Sequence, residues 1–121
     1  MNLSDHIRTS NLPALKAAIT TNPETINLPD EKGFTPLVLA TYLGHKEVTE
    51  CLIDHGADLN YQDPMMGMTA LMGVCFKGSL ELAKLLIEKG ADPSIQNENG
   101  ETALDFAKKG GFEEIVGLLS E

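Results

Sequence analysis

The 121-residue chain has no tryptophan, only two cysteines, and nine basic residues against eighteen acidic ones. Two cysteines cannot build a disulfide framework. Cys51 falls on an apolar helical face and Cys75 at a helix end, so both read as free thiols acting as small hydrophobes, which fits a reducing compartment. The formal net charge is −9, and the acids are spread evenly on either side of Asp63. Affinity for phosphate backbones and anionic lipid rests on Lys and Arg, so neither nucleic acid nor a membrane surface is an expected partner. General solubility accounts for the acidic surplus; a surface made for a basic partner is the other reading. No apolar run reaches the ~18 residues that would nominate a membrane span. The longest uncharged stretch, Pro64 to Phe76, is too short and contains Gly67 and Gly73. Asp5, His6 and Arg8 interrupt the place where a secretory signal needs an apolar core. A cytoplasmic protein is expected.

Catalytic signatures are also missing. The chain has no Gly-rich phosphate loop, no Gly-x-Ser-x-Gly and no Cys-x-x-Cys. Of its three histidines, His6 belongs to the N-terminal segment, His45 follows Gly44, and His55 falls in a last helical turn, where a cation suits the helix dipole. Cys51 and His55 have the i, i+4 spacing that can share a metal, but no further ligand pair completes a site. Glu113-Glu114 reads as a solvated helix face. The expectation is therefore a non-enzyme with no catalytic, cofactor-binding or metal residue.

What the chain does contain is a repeat. Residues 33–58 read GFTPLVLATYLGHKEVTECLIDHGAD, and residues 67–92 read GMTALMGVCFKGSLELAKLLIEKGAD. Gly56 and Gly90 are 34 positions apart, and a third copy begins at Gly100-Glu101-Thr102-Ala103-Leu104, where Thr102 follows Thr69 by 33. A fixed period in this range marks a repeat architecture. Thr35, Thr69 and Thr102 each precede an apolar run, where a Thr hydroxyl accepts an orphan backbone N–H. Pro36 suits a first helical position, and Gly44, Gly78 and Gly111 suit a helix stop. Val48, Cys51 and Leu52, then Leu82, Leu85 and Leu86, give the narrow apolar face of a second helix. Each unit is thus helix, turn, helix, loop.

The pattern resembles the ankyrin repeat, whose signature is Thr-Pro-Leu-His-x-Ala at about 33 residues per repeat. It stands here as Thr35-Pro36-Leu37-Val38-Leu39-Ala40, Thr69-Ala70-Leu71-Met72-Gly73-Val74 and Thr102-Ala103-Leu104-Asp105-Phe106-Ala107. The signature His is replaced by Val38, Met72 and Asp105. The resemblance implies an all-α solenoid of helix–turn–helix units joined by extended, hairpin-like loops, with His45 in a helix-capping position. The expected organisation is one domain over 1–121, with an N-terminal cap at 1–32, repeats at 33–66 and 67–99, and a C-terminal cap at 100–121. In the divergent first unit Ser4 is expected to cap a helix, Leu3 and Ile7 to face inward, and Pro13 to open a second helix that Asn22-Pro23 ends. Counting back 33 places Asn11 under Gly44, Leu15 under Val48, Ile19 under Leu52 and Asn27 under Asn60. Degenerate ends are expected of terminal repeats, and both ends read as caps of a complete protein.

One residue more lies between Asn60 and Gly67 than in the following copy, and the loop there carries Met65 and Met66 where Asn97-Glu98-Asn99-Gly100 is polar. The resemblance implies partner recognition through loop tips and the inner face of the first helices. Carried over by position, these sites are Glu31, Lys32, Phe34, Tyr42 and Leu43, then Gln62, Met65, Met66, Met68, Phe76 and Lys77, then Glu98, Asn99, Glu101 and Lys109. Leu37, Ala40, Leu71, Val74, Leu104 and Ala107 already fill the helix-interior slots. The extra aromatic and Met residues therefore point to an interaction surface. The opposing reading has Tyr42 and Phe76 leaning on neighbouring helices and the methionines folding back. The expected function is a non-catalytic interaction module for an unidentified partner protein, the chain itself being a monomer. The alternative is self-association into a homo-oligomer through the same apolar patch.

Overall fold

A computed structural model describes residues 3–120. Eight α helices and one 3-10 turn form among them, with no strand. The chain divides between Asp58 and Leu59 into two compact units. The first holds α1 (Leu3–Arg8), α2 (Leu12–Thr21), the 3-10 turn Pro23–Asn27, α3 (Pro36–Leu43) and α4 (Lys46–Asp54). The second holds α5 (Ala70–Lys77), α6 (Leu80–Glu88), α7 (Ala103–Gly110) and α8 (Glu113–Leu119). In each unit consecutive helices pair, and the two pairs then stack like on like. α1 lies on α3 and α2 on α4 in the first unit; α5 lies on α7 and α6 on α8 in the second.

Local chemistry sets the helix bounds. The Thr35, Thr69 and Thr102 hydroxyls accept from the backbone N–H groups of Val38, Met72 and Asp105. Each such cap contributes about 1 kcal/mol. Pro36 occupies the first helical position. Gly44 closes α3 in the left-handed conformation at φ 76°, which a side chain would oppose, and Gly78 and Gly111 do the same for α5 and α7. Between these signals the apolar stripes are buried: Leu37, Val48 and Leu52 in the first unit, Leu71, Val74, Leu82 and Leu86 in the second. Fully burying one such side chain contributes about 1.5–3 kcal/mol.

Hairpin-like turns precede the first helices. The Asp30 N–H donates to the Phe34 carbonyl, and the Asn97 N–H to Glu101, both at 2.9 Å. In the middle loop the Asp63 N–H reaches one residue further, to Met68, at 3.0 Å. The additional residue expected between Asn60 and Gly67 thus sits inside the turn between Asp63 and Gly67. Asp30, Asp63 and Asn97 each brace their turn by accepting backbone N–H groups on a side-chain oxygen. Asn27 and Asn60 do occupy equivalent positions: the first accepts from the Asp58 N–H, the second from the Asp92 N–H, both at 2.8 Å.

Three expectations are corrected. Ser4 lies inside α1, which begins at Leu3, so it is not the residue before the helix. His45 stands at the N-cap of α4 but makes no side-chain capping bond. In the first unit Ser10 carries the left-handed φ of 54° that Gly44 carries in the next copy. Asn11 instead caps α2 by accepting from the Ala14 N–H. α2 is one residue longer than α4 because it starts one residue earlier in the repeat, and Leu15 and Ile19 are buried as Val48 and Leu52 are.

In the second unit the Phe112 ring is held between two glycines. A Cβ on Gly78 would stand 2.5 Å from one edge of the ring, and a Cβ on Gly110 would crowd the opposite edge. Alanine in place of a helical glycine ordinarily stabilises by about 0.5–1 kcal/mol. Gly110→Ala is expected instead to destabilise by about 1–3 kcal/mol in urea unfolding, as overpacking does. In a Phe112→Ala background the same change should become neutral or stabilising. A stabilised single variant would show that the ring can move aside.

Candidate functional site

The loop tips and first helices carry most of the large apolar groups left in solvent. Tyr42 is 61% exposed, Met65 71%, Met66 47% and Phe76 67%. Leu28, which the sequence reading missed, is the other exposed large hydrophobic among the described residues; none lies on α2, α4, α6 or α8. Phe34, Leu43 and Met68 are half-buried.

In the first unit the structure gathers Glu31, Lys32, Phe34 and Tyr42 around one open cleft, with Arg8 and Leu39 on its other walls. Asp30 fixes the tip by accepting from both the Lys32 and Phe34 N–H groups. Leu43 is the last residue of α3 and does not line this cleft.

In the second unit the two loops are tied together. The Glu98 N–H donates to the Met66 carbonyl at 2.9 Å. Gln62 Nε2 donates to the Gly67 and Gln96 carbonyls, each at 2.9 Å. Gln62 therefore acts mainly as a strut, and a Cβ on Gly67 would meet it at 3.3 Å. Met68 Sδ lies 3.5 Å from Asn97 Nδ2, so this methionine folds back onto the neighbouring loop while Met65 and Met66 stay outside. Lys77 is exposed at the end of α5.

Phe76 meets Phe106 edge to face, with ring centroids 6.2 Å apart. Lys109 Nζ lies 5.5 Å from the Phe106 centroid and is ion-paired with Glu101. Sequence reasoning did not single out Phe106. The available signal was its place in the variable slot of the third signature, on the same face as Lys109 three residues on. Glu101 is held by Asn97 as well, Nδ2 donating to Oε1 at 3.1 Å. The Lys109 ammonium and the Asn97 amide hold the Glu101 carboxyl below its usual range. The signature-His slot of this copy carries Asp105, which accepts from the Thr102 N–H and completes a reciprocal helix cap. That bond lowers its pKa.

No group of three or more His, Cys, Asp or Glu among the described residues is arranged to hold a metal. His55 sits at the C-cap of α4, with Nδ1 2.8 Å from the Cys51 carbonyl oxygen and 3.8 Å from its Sγ. Both cysteines are free and buried. Burial pushes the Cys51 thiol up and the Cys75 thiol up to about 12. No helix among the described residues is long and apolar enough to cross a membrane.

The family profile "Ankyrin repeats (3 copies)" matches residues 3–97 and again residues 60–121. The chain belongs to the ankyrin repeat family. It is 35% identical over 99 residues to Ankyrin repeat and SAM domain-containing protein 6 of Mus musculus, covering 82% of this chain and 11% of that protein. The Rattus norvegicus protein of the same description matches to the same extent. The DNA-binding protein RFXANK of Mus musculus is 45% identical over 56 residues, 46% of this chain and 20% of that protein. The chain thus spans only 11% to 20% of the length of these curated relatives. Ankyrin repeats are generally protein–protein interaction modules, and the family is generally non-enzymatic.

The Asp105 pKa is depressed below its ordinary 3.8 in the fold, so its stabilisation is complete above that value and disappears as pH falls through the lower folded value. Asp105→Asn keeps an acceptor oxygen but cannot titrate. Its stability, measured from pH 7 downward, should fall less steeply below about pH 4 than that of the wild type. The thiols should resist a disulfide reagent in the native protein and react at the rate of unfolding. Rapid native labelling of Cys75 would contradict its burial.

Proposed function

We propose that the chain, as one ankyrin domain over 1–121, is a non-catalytic module that binds a partner protein through its loop tips and first helices. The observation that carries this reading is the sorting of Tyr42, Met65, Met66 and Phe76 to those elements while the second helices expose no large apolar group. Exposed aromatic and Met side chains are typical of interface cores, and Met adapts to irregular partners. Glu31, Lys32, Phe34 and Leu43 in the first unit, and Gln62, Met68, Lys77 and Glu101 in the second, complete the proposed contact set as flanking or supporting residues. The net charge of −9 argues for a protein partner over nucleic acid or anionic membrane. Two buried, unpaired thiols fit a reducing cytoplasm.

Tyr42→Ser/Met65→Ser/Met66→Ser/Phe76→Ser is expected to keep helical circular dichroism and melting close to wild type while losing a protein that wild type retains in affinity capture. Equal capture by the folded variant would move the interface elsewhere. Sedimentation over a range of concentrations separates the homo-oligomer reading: self-association lost in this variant would make the partner a second copy.

A further inference from the structure

In the second unit α5 and α7 pack side by side, and so do α6 and α8. The two layers carry opposite charge. α5 and α7 hold Lys77, Lys108 and Lys109 against Asp105. α6 and α8 hold Glu81, Glu88, Glu113 and Glu114 against Lys84. Lys77, Lys108 and Lys109 lie in last turns, where a cation suits the helix dipole, and Lys89 stands at the C-cap of α6. The α5 and α7 layer is left positive in an otherwise acidic chain. Of its lysines, Lys109 borders a cleft with Phe76, Phe106 and Gly110, and the Phe76 ring there is largely in solvent.

Lys109 lies over Phe106 and is ion-paired with Glu101. Asn97 holds the other Glu101 oxygen, so Glu101 keeps a partner when Lys109 leaves it. The arrangement already displays one carboxylate bound beside an aromatic cleft. We propose that this cleft binds an acidic segment of a partner protein, one apolar side chain entering against Phe76 and Phe106 while an adjacent carboxylate replaces Glu101 on Lys109. This inference rests on the interaction-module reading and names the chemistry of the partner. Glu101 is then an internal competitor, and it sets the affinity by occupying Lys109 in the free protein. Three lysines fall short of the basic clusters that hold anionic lipid, whereas a short carboxylate-rich segment needs only local complementarity.

The test uses fluorescent synthetic peptides of Asp and Glu surrounding a single Leu or Phe. Two counterparts are compared, one with Lys in place of the acids and one with Ala in place of the apolar residue. Wild type should bind the acidic apolar peptide at least about tenfold more tightly than either. Lys109→Glu and Phe76→Ser, checked for native circular dichroism, should each weaken it by about tenfold or more, the former with loss of salt dependence. Glu101→Gln should tighten it by about threefold, the opposite of what loss of a contact residue would do. Weaker binding in Glu101→Gln, or equal binding of the Lys or Ala peptide, overturns the proposal. So does retention on phosphatidylserine vesicles or single-stranded DNA matching that of the peptide. If no acidic peptide binds while the four-Ser variant still loses a captured protein, the partner chemistry is wrong and the interaction-module reading stands.

Discussion

None of these helices is long enough to persist alone. The longest, α2, has ten residues and α1 has six, below the ~12–15 at which an isolated helix becomes even marginal in water. Every helix is therefore held by what lies against its apolar stripe, and each stripe is narrow. Leu37, Leu52, Leu71 and Leu86 are buried because a paired helix and a stacked neighbour close over them. This dependence explains why strong start and stop signals recur. A helix that ran on past Gly44 or Gly78 would carry its partner out of register with the stripe it must meet.

The loops solve a second problem. Irregular backbone has polar groups that need partners, and in this chain side-chain oxygens supply many of them at fixed places. Asp30, Asp63 and Asn97 brace the turns from within, and Asn27 and Asn60 bond to the segment that ends the next helix pair. The middle loop takes an additional residue without losing this brace, because Asp63 accepts from Met65, Met66 and Met68. Within the same loop the Met66 carbonyl accepts from the Glu98 N–H. Rigid tips matter for recognition, since less conformational freedom remains to be lost when a partner binds.

The proposed interaction surface draws on groups that the fold does not consume. Tyr42 and Phe76 hold the same slot, seven residues after the capping Thr, and Lys109 holds it in the third copy. The slot faces outward whatever occupies it, so changes there leave the caps and stripes intact. That is the physical basis for one framework serving unrelated partners. In the Asn97–Glu101–Lys109–Phe106 chain of contacts, one ion pair and one amide hold a charge beside an aromatic face.

Local residue patterns are enough to specify the repeat, the helix starts and stops, and most of the buried stripe. These are local matters: a Thr hydroxyl reaches three residues ahead, a left-handed Gly ends its own helix, and i, i+3, i+4 spacing defines a face regardless of what covers it. The divergent first unit was legible only in part, because Ser10 and Asn11 do the work of other residue types and α2 gains a residue. Which inner-face residues remain in solvent is settled only in the assembled fold. Phe34, Tyr42, Met65 and Met68 all read as apolar groups in polar places, yet two are half-buried and two are not. Met68 meets Asn97, 29 residues away in sequence. Phe106 meets Phe76 of the preceding copy, and Phe112 fits between Gly78 and Gly110. Exposure is set by atoms from another repeat, and periodicity fixes which face a residue occupies without fixing what comes to rest against it.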